Sequence, residues 1–234
     1  MPTSDTNQVP GILKLIGECQ PDSVLDVGVG WGRYGALLRL GLERGYADIS
    51  DRSNWQVRID GIEAFAGYIG DIQRSVYNEI HLGTVQKTIG KLGTYDVILL
   101  GDVIEHLEKD EGVQLLKELV NKARLRVVLA TPNGRYDQDA MFGNQFEKHR
   151  SVWSPADFAA YPGCEIYANR KSLIAVLSNQ PSDAKGRRWR LGELRRWPFS
   201  AAIAAWFRYR WQRLRGIPTN TTTDSNEKNE PAGN

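Results

Sequence analysis

Residues 23–35 read SVLDVGVGWGRYG, and three chemical zones follow one another within this stretch. Residues 24–27 are apolar apart from Asp26, which is typical of a buried strand. Three glycines then stand at a spacing of two, at Gly28, Gly30 and Gly32. Glycine allows a tight turn in which a ligand lies against bare backbone, and an apolar helical pattern begins at Tyr34. The stretch therefore predicts a strand, a glycine loop and a helix N-terminus, the three parts of a nucleotide cradle.

The acid and the glycines form the pattern acid-x-Gly-x-Gly-x-Gly. This pattern resembles the signature of class I methyltransferases that use S-adenosylmethionine (SAM). A dinucleotide-binding dehydrogenase needs glycines at the first, third and sixth positions, and here the sixth position from Gly28 is Arg33, which is too large for close packing of helix on strand. The resemblance implies that SAM is the cofactor and that it binds at Asp26, Gly28, Gly30 and Gly32. A glycine turn without a cofactor is the structural alternative.

Strand and helix patterns alternate along much of the chain. Strands are predicted at residues 57–63, 80–85, 95–101 and 126–130. Amphipathic helices lie between them, including one predicted from a continuous apolar stripe over residues 65–76. Because this alternation produces parallel βαβ units, we predict an α/β fold: a doubly wound, mostly parallel seven-stranded sheet with helices on both faces. The resemblance implies that the last two strands, at residues 165–168 and 172–177, form an antiparallel hairpin.

Two acids stand where predicted strands end. Glu63 closes the second strand about thirty residues after the glycines, where a nucleotide fold places an acid to accept hydrogen bonds from both ribose hydroxyls. Asp102 follows the apolar strand over residues 95–101 and opens the sequence DVIEHL, which is similar to the fourth-strand motif of many small-molecule and glycan methyltransferases. The resemblance implies that Asp102 passes beside the methionine end of SAM.

The chain has three histidines, and two of them are candidate general bases. A hydroxyl group that receives a methyl group benefits from a base, a role that histidine often fills. His106 follows the fourth strand directly, and His149 stands in the long loop after the fifth strand. His81 lies in or near a weak strand far from these loops. His106 and His149 are therefore the predicted catalytic residues, with a structural or capping role as the alternative for each.

Metal ligands are sparse in the sequence. In some relatives the acid-x-x-Glu-His group, here Asp102, Glu105 and His106, also contacts a divalent metal. One Asp, one Glu and one His do not form a self-sufficient site, so no metal is predicted. Cys19 and Cys164 have no CxxC pattern or clustered histidine, which argues against a zinc site or a disulfide framework.

Missing motifs narrow the expected substrate. Enzymes that methylate amino groups of DNA bases resemble one another in an Asn/Asp-Pro-Pro-aromatic segment, where this chain has GDVI at residues 101–104. Cytosine C5 enzymes use a Pro-Cys nucleophile, and neither cysteine here follows a proline. We therefore expect O-methylation of a sugar, a lipid-linked glycan or another small metabolite. The alternatives are a non-catalytic or nucleic-acid-directed SAM-binding protein and, less favoured, a nicotinamide-dependent oxidoreductase.

Basic charge is concentrated near the C-terminal end. The chain carries a net charge of +2, yet residues 183–216 hold ten Lys or Arg against two acids. Apolar side chains in this segment, several of them tryptophans, fall largely on one helical face surrounded by arginines. We predict a methyltransferase domain at 1–182, a basic amphipathic helical segment at 183–216 and a disordered polar tail at 217–234. Residues 185–215 are predicted to attach to an anionic membrane surface, with packing on the enzyme body or RNA binding as alternatives; nucleic acid is the less favoured partner.

The N-terminal sequence lacks the basic and apolar regions of a signal peptide. No stretch of the sequence approaches the length of a transmembrane helix. The expected location is therefore the cytoplasm, with peripheral membrane association through residues 185–215.

Overall fold

One mixed β-sheet runs through the described part of the chain. The computed structural model describes residues 6–43, 48–161, 163–178 and 188–190. Its strands are β1 (Ser23–Val27), β2 (Arg58–Glu63), β3 (Glu79–Leu82), β4 (Tyr95–Gly101), β5 (Ala123–Pro132), β6 (Glu165–Ala168), β7 (Ser172–Leu177) and β8 (Arg188–Arg190). Their order across the sheet is β3-β2-β1-β4-β5-β7-β6-β8. Strands β1 to β5 pair in parallel, β7 is antiparallel to both β5 and β6, and β8 is parallel to β6.

Helices accompany the strands in the described residues. They are α1 (Val9–Gly17), α2 (Arg33–Leu42), α3 (Asp71–Val76), α4 (Val85–Thr88), α5 (Lys109–Lys122) and α6 (Pro155–Phe158). The predicted α/β fold, with its mostly parallel sheet and C-terminal antiparallel hairpin, is confirmed. Strand β8 adds one short parallel strand to the seven that were predicted.

The centre of the sheet forms the core. All five residues of β1 are buried, and residues 97–100 of β4 have no exposed surface. Parallel strands covered on both faces carry nearly continuous apolar runs, which is why these two strands can be recognised in the sequence. By contrast, β3 lies at the edge of the sheet and carries exposed or half-buried side chains.

The apolar stripe at residues 65–76 does not form the continuous helix that was predicted. A 3₁₀ turn covers Ala66–Tyr68, and α3 begins only at Asp71, after Gly70 in an extended conformation. Ile72, a member of the stripe, is 59% exposed. The spacing of apolar residues therefore gave the wrong helix here, because a polar contact described below fixes the rotation of α3.

The predicted basic segment lies mostly outside the described residues. Arg188–Arg190 form β8, but the domain boundary at residue 182, the helix and the tail at 217–234 stay predictions. Within the described ranges, no helix combines the length and the apolar character needed to cross a membrane.

Candidate active site

A cavity of about 1260 Å³ opens at the carboxyl edge of the parallel strands. The last residues of β1, β2, β4 and β5 and the loops after them form its wall, because parallel strands deliver their ends to one edge of the sheet. Most of the predicted site residues line this cavity, namely Gly28, Gly30, Glu63, Asp102, His106 and His149. Of the described residues, Asp26 and Gly32 are predicted ligands that are not part of the wall.

The glycine loop leaves no room for a side chain at its first position. Gly28 has a φ of +83°, and a Cβ added there would lie 2.4 Å from Cγ2 of Val103. Its N–H donates to the carbonyl oxygen of Ile62 at 2.9 Å, which ties the loop to the end of β2. The backbone of the loop therefore forms the floor of the cavity directly.

Gly28→Ala should lower the free energy of unfolding by about 3 kcal/mol, because it combines a left-handed backbone conformation with a clash in a packed site. Urea denaturation measures the loss. Gly143→Ala is the matched control, since Gly143 has a φ of +74° but nothing within 4 Å of the added Cβ. Equal losses in the two variants would show that the clash with Val103 does not contribute to the loss of unfolding free energy.

Asp26 supports the loop from below. Its side chain is 1% exposed, and Oδ2 accepts a hydrogen bond from the hydroxyl of Tyr77 at 2.5 Å. The same hydroxyl accepts a hydrogen bond from the N–H of Gly35, in the first turn of α2. Burial raises the pKa of Asp26 to about 7, although the Tyr77 hydrogen bond opposes this rise. Asp26 thus holds the start of α2 through Tyr77 and does not face the cavity.

Gly32 is the N-cap residue of α2 and has a φ of +76°, so it also acts through the backbone. A Cβ there would lie 3.3 Å from Cγ of Gln73, a side chain that lies against the loop. Nε2 of Gln73 donates to the carbonyl oxygen of Gly30 at 2.9 Å, and its Oε1 accepts the N–H of Gly70 at 3.0 Å. This pair of bonds sets the rotation of α3.

Glu63 joins the end of β2 to the glycine loop. One carboxylate oxygen accepts the N–H of Gly30 at 2.8 Å, and the other accepts the N–H of Phe65 at 2.8 Å. The residue is only 5% exposed, and burial raises its pKa while these N–H donors oppose the rise. Each oxygen keeps a second lone pair, so the carboxylate can still accept two hydroxyl groups from a ligand.

Asp102 stands at the end of β4 with a φ of +53°. Its Oδ2 accepts a hydrogen bond from Nε2 of Gln8 at 2.9 Å. Gln8 is 1% exposed and lines the cavity at the start of α1. This contact anchors the first helix to the wall of the site.

The fold brings the two predicted bases together. The ring centroids of His106 and His149 lie 4.8 Å apart with an edge-to-face geometry. Nδ1 of His106 lies 3.2 Å from the carbonyl oxygen of Lys148, and Nδ1 of His149 lies 2.6 Å from that of Tyr136. Burial, followed by the neighbouring His149, lowers the pKa of His106, which favours its neutral form.

The loop that carries His149 is fixed against the residues after β4. The N–H groups of Arg150 and Ser151 both donate to the carbonyl oxygen of Glu105, at 2.8 and 3.1 Å. Trp153, 1% exposed, donates through its indole N–H to the Ser151 hydroxyl at 2.8 Å. The position of His149 relative to Glu105 is therefore set by backbone contacts and by a buried ring.

Glu105 is a buried acid beside the histidine pair. It is 2% exposed, and neither of its oxygens has a hydrogen-bond partner among the described residues. Burial raises its pKa well above the usual range, and the nearby Asp102 adds to this rise. The Thr131 hydroxyl is near enough to lower that pKa, but it does not reach hydrogen-bond geometry. Glu105, His106 and His149 can each offer one atom to a metal ion, and these atoms lie within 4.8 Å of one another.

Three residues that build the site carry no signal in the sequence, namely Gln8, Gln73 and Tyr77. Their contacts connect positions 94, 43 and 51 residues apart. Motif spacing and apolar periodicity are local signals, so neither could identify these partners. The same limit applies to the distance between His106 and His149.

Comparison with known proteins identifies the fold. No protein-family model and no curated protein matches the sequence. The solved methyltransferase domain of bacterial CtHen1 is 18% identical and matches 74% of this chain and 97% of its own, with a TM-score of 0.50. DhpI in complex with SAH is 14% identical over 74% of this chain and 85% of its own, with a TM-score of 0.51. The N-terminal domain of EvdMO1, solved with SAH and D-fucose, is 15% identical over 75% of this chain and 85% of its own, with a TM-score of 0.50.

These likenesses define the class of fold. The chain has the Rossmann-like fold of class I SAM-dependent methyltransferases. The fold assignment agrees with the resemblance seen in the acid-and-glycine pattern of residues 26–32.

Proposed function

We propose that this protein is a SAM-dependent methyltransferase that methylates a hydroxyl group of a sugar, a lipid-linked glycan or another small metabolite. One observation carries the proposal: Glu63, which is hydrogen-bonded to the glycine loop, and the histidine pair line the same cavity. SAM held at Glu63 would present its methyl group toward an acceptor held beside the histidine pair.

The side of the cavity formed by the glycine loop and Glu63, here called the loop side, suits SAM. Gly28 and Gly30 offer bare backbone, and the free lone pairs of Glu63 suit the two ribose hydroxyls. The carboxylate of Asp102 suits the cationic methionine end of the cofactor. Asp26 and Gly32, which were predicted to bind SAM, instead support the loop on this proposal.

The chemistry needs little from the protein beyond position. The acceptor oxygen attacks the methyl carbon in line with the breaking C–S bond, and the sulfur keeps the bonding pair, so SAM becomes SAH. The acceptor hydroxyl loses its proton, for which the imidazoles of His106 and His149, which lie side by side, are the proposed bases.

Aromatic side chains support a ring-shaped acceptor. Trp31, Tyr136 and Phe146 line the cavity and are 55%, 62% and 47% exposed. Exposed apolar surface at a cleft is typical of a ligand-binding groove, and flat rings suit the apolar face of a sugar. Attachment of residues 185–215 to an anionic membrane would bring a lipid-linked acceptor within reach, and it remains a separate prediction.

Glu63→Ala should weaken SAM binding by about 1.5 to 3 kcal/mol, roughly 10- to 150-fold in Kd, because it removes charge-assisted hydrogen bonds to the ribose. Isothermal calorimetry with SAM measures this directly. Glu79→Ala on the exposed edge strand β3 is the control and should bind like the native chain. Native affinity in Glu63→Ala would remove this residue from the site, and no binding of SAM to the native chain would overturn the proposed function.

A further inference from the structure

The turn between β6 and β7 brings two basic side chains to the wall of the cavity. Strand β7 is antiparallel to β5, so its first residue, Ser172, pairs with Pro132 at the carboxyl end of β5. The turn before Ser172 therefore lies at the same edge of the sheet as the glycine loop. Its residues Arg170 and Lys171 are exposed and line the cavity.

Hydrogen bonds fix this turn against the loop after β5. Oδ1 of Asn169 accepts the N–H groups of Lys171 and Ser172, both at 2.7 Å. The N–H of Asn133 donates to the carbonyl oxygen of Lys171 at 2.9 Å. Nδ2 of Asn133 donates to the carbonyl oxygen of Asn169 at 2.6 Å. The backbone that carries Arg170 and Lys171 is thus held in place, and neither of their side chains takes part in these bonds.

The positive charges of the turn are not balanced by acids. Two other cationic side chains of the cavity wall have carboxylate partners: Arg135 lies 3.0 Å from Asp137, and Arg150 lies 3.5 Å from Glu108. Among the described residues, neither basic side chain of the turn makes an ion pair or a hydrogen bond. Cationic groups in a cleft attract anions, because the protein walls focus their field into the cleft.

The acids of the cavity wall lie toward other strands. Glu63 ends β2 and Asp102 follows β4, whereas the basic turn precedes β7. Three strands separate β2 from β7, so these two ends of the cavity are roughly 19 Å apart at about 4.8 Å per strand. A cavity of about 1260 Å³ is also larger than the roughly 300 to 1,000 Å³ of a usual small-molecule site. It therefore has room for SAM near the acids and for an anionic molecule near the turn.

We propose that Arg170 and Lys171 bind a phosphate group carried by the methyl acceptor. The acceptor is then a sugar attached to phosphate, either a nucleoside-diphosphate sugar or a sugar joined to a lipid through diphosphate. A guanidinium group matches two phosphate oxygens at once, and an ammonium group adds a mobile point charge. Fixing the phosphate at the turn limits the ways in which the sugar can lie across the cavity, which positions one hydroxyl group for methyl transfer. Only the role of this molecule as acceptor rests on the proposed function.

Inorganic pyrophosphate is the first probe, because it carries phosphate groups without a sugar, a nucleoside or a lipid. Calorimetric titration of the native full chain should saturate at about one equivalent. The double variant Arg170→Gln with Lys171→Gln keeps long polar side chains but removes both charges, so it should bind pyrophosphate at least about 10-fold more weakly.

UDP-glucose and farnesyl diphosphate then distinguish the two sources of phosphate. Tighter binding of UDP-glucose supports a nucleoside-diphosphate sugar, and tighter binding of farnesyl diphosphate supports a lipid-linked sugar. The preferred probe should lose affinity in the double variant by at least the factor seen with pyrophosphate.

The matched control is Arg74→Gln with Lys117→Gln, which removes one Arg and one Lys at exposed positions outside the cavity wall. It should bind pyrophosphate like the native chain. Titrations of the native chain that never saturate, native affinity in the double variant of the turn, or an equal loss in the control would overturn the phosphate site. Pyrophosphate that binds at the glycine loop instead would leave the turn variant with native affinity and so counts against the site.

SAM calorimetry on the same samples separates this site from the proposed function. The double variant of the turn should bind SAM like the native chain, because its substitutions lie at the other end of the cavity. A native chain that binds no SAM would contradict the proposed function, while loss of pyrophosphate binding in the double variant would still support the phosphate site.

Discussion

Replacing His106 and His149 together with alanine should lower turnover by roughly 100- to 10,000-fold, which is the usual contribution of acid–base catalysis. SAM affinity should change little, because neither ring belongs to the loop side of the cavity. The measurement is release of SAH from SAM with an acceptor selected from a panel of sugars and lipid-linked glycans. His81→Ala serves as the control and should retain native turnover.

The single variants show which of the two rings is the base. If one histidine is the base, the variant of the other should be almost as active as the native chain. Native turnover in the double variant would contradict a catalytic role for either ring and leave proximity alone as the source of catalysis.

As the pH rises from about 4 to above 7, the native chain should lose about 4 kcal/mol of unfolding free energy that Asp26→Asn keeps. The pKa of Asp26 rises from 3.8 to about 7 on folding, and each unit corresponds to 1.36 kcal/mol. Because the folded pKa is the higher one, the folded state binds the extra proton between these values. The stabilisation is therefore complete below about pH 4 and is lost as the pH rises through about 7.

Asparagine keeps the size of the side chain and an oxygen for the Tyr77 hydroxyl, but it carries no charge. Urea denaturation from pH 4 to pH 8 should show the difference between Asp26→Asn and the native chain growing in favour of the variant. Asp110→Asn, on the exposed start of α5, should instead follow the native curve throughout. Parallel curves for Asp26→Asn and the native chain would show that the buried acid does not bind this proton.

The sequence predicted those parts of the molecule that depend on neighbours along the chain. Strands β1 and β4 were visible because both of their faces are buried, and the glycine loop because its turn requires glycine. The position of Glu63 followed from the end of a strand. These features require only a few consecutive residues to be recognised.

What the sequence did not predict depends on contacts between distant segments. The apolar stripe at residues 65–76 suggested one helix, but the hydrogen bonds of Gln73 to Gly30 and Gly70 determine the rotation of α3. Asp26 matched the family pattern, yet its partner Tyr77 comes from 51 positions later. The placement of His149 beside Glu105 likewise depends on backbone contacts of a long loop, for which spacing carries no signal.

The bond between Gln8 and Asp102 also concerns the order in which the molecule assembles. Gln8 is synthesised before its partner Asp102, which lies 94 positions further along the chain. By contrast, Glu63 follows Gly30 by only 33 positions, so β1, β2 and the glycine loop can associate while β4 is still unmade. Contacts between distant positions form late because closing a long loop costs more conformational entropy. We therefore expect the nascent chain to complete the glycine-loop side of the cavity first and to fasten its N-terminal helix only after β4 has entered the sheet.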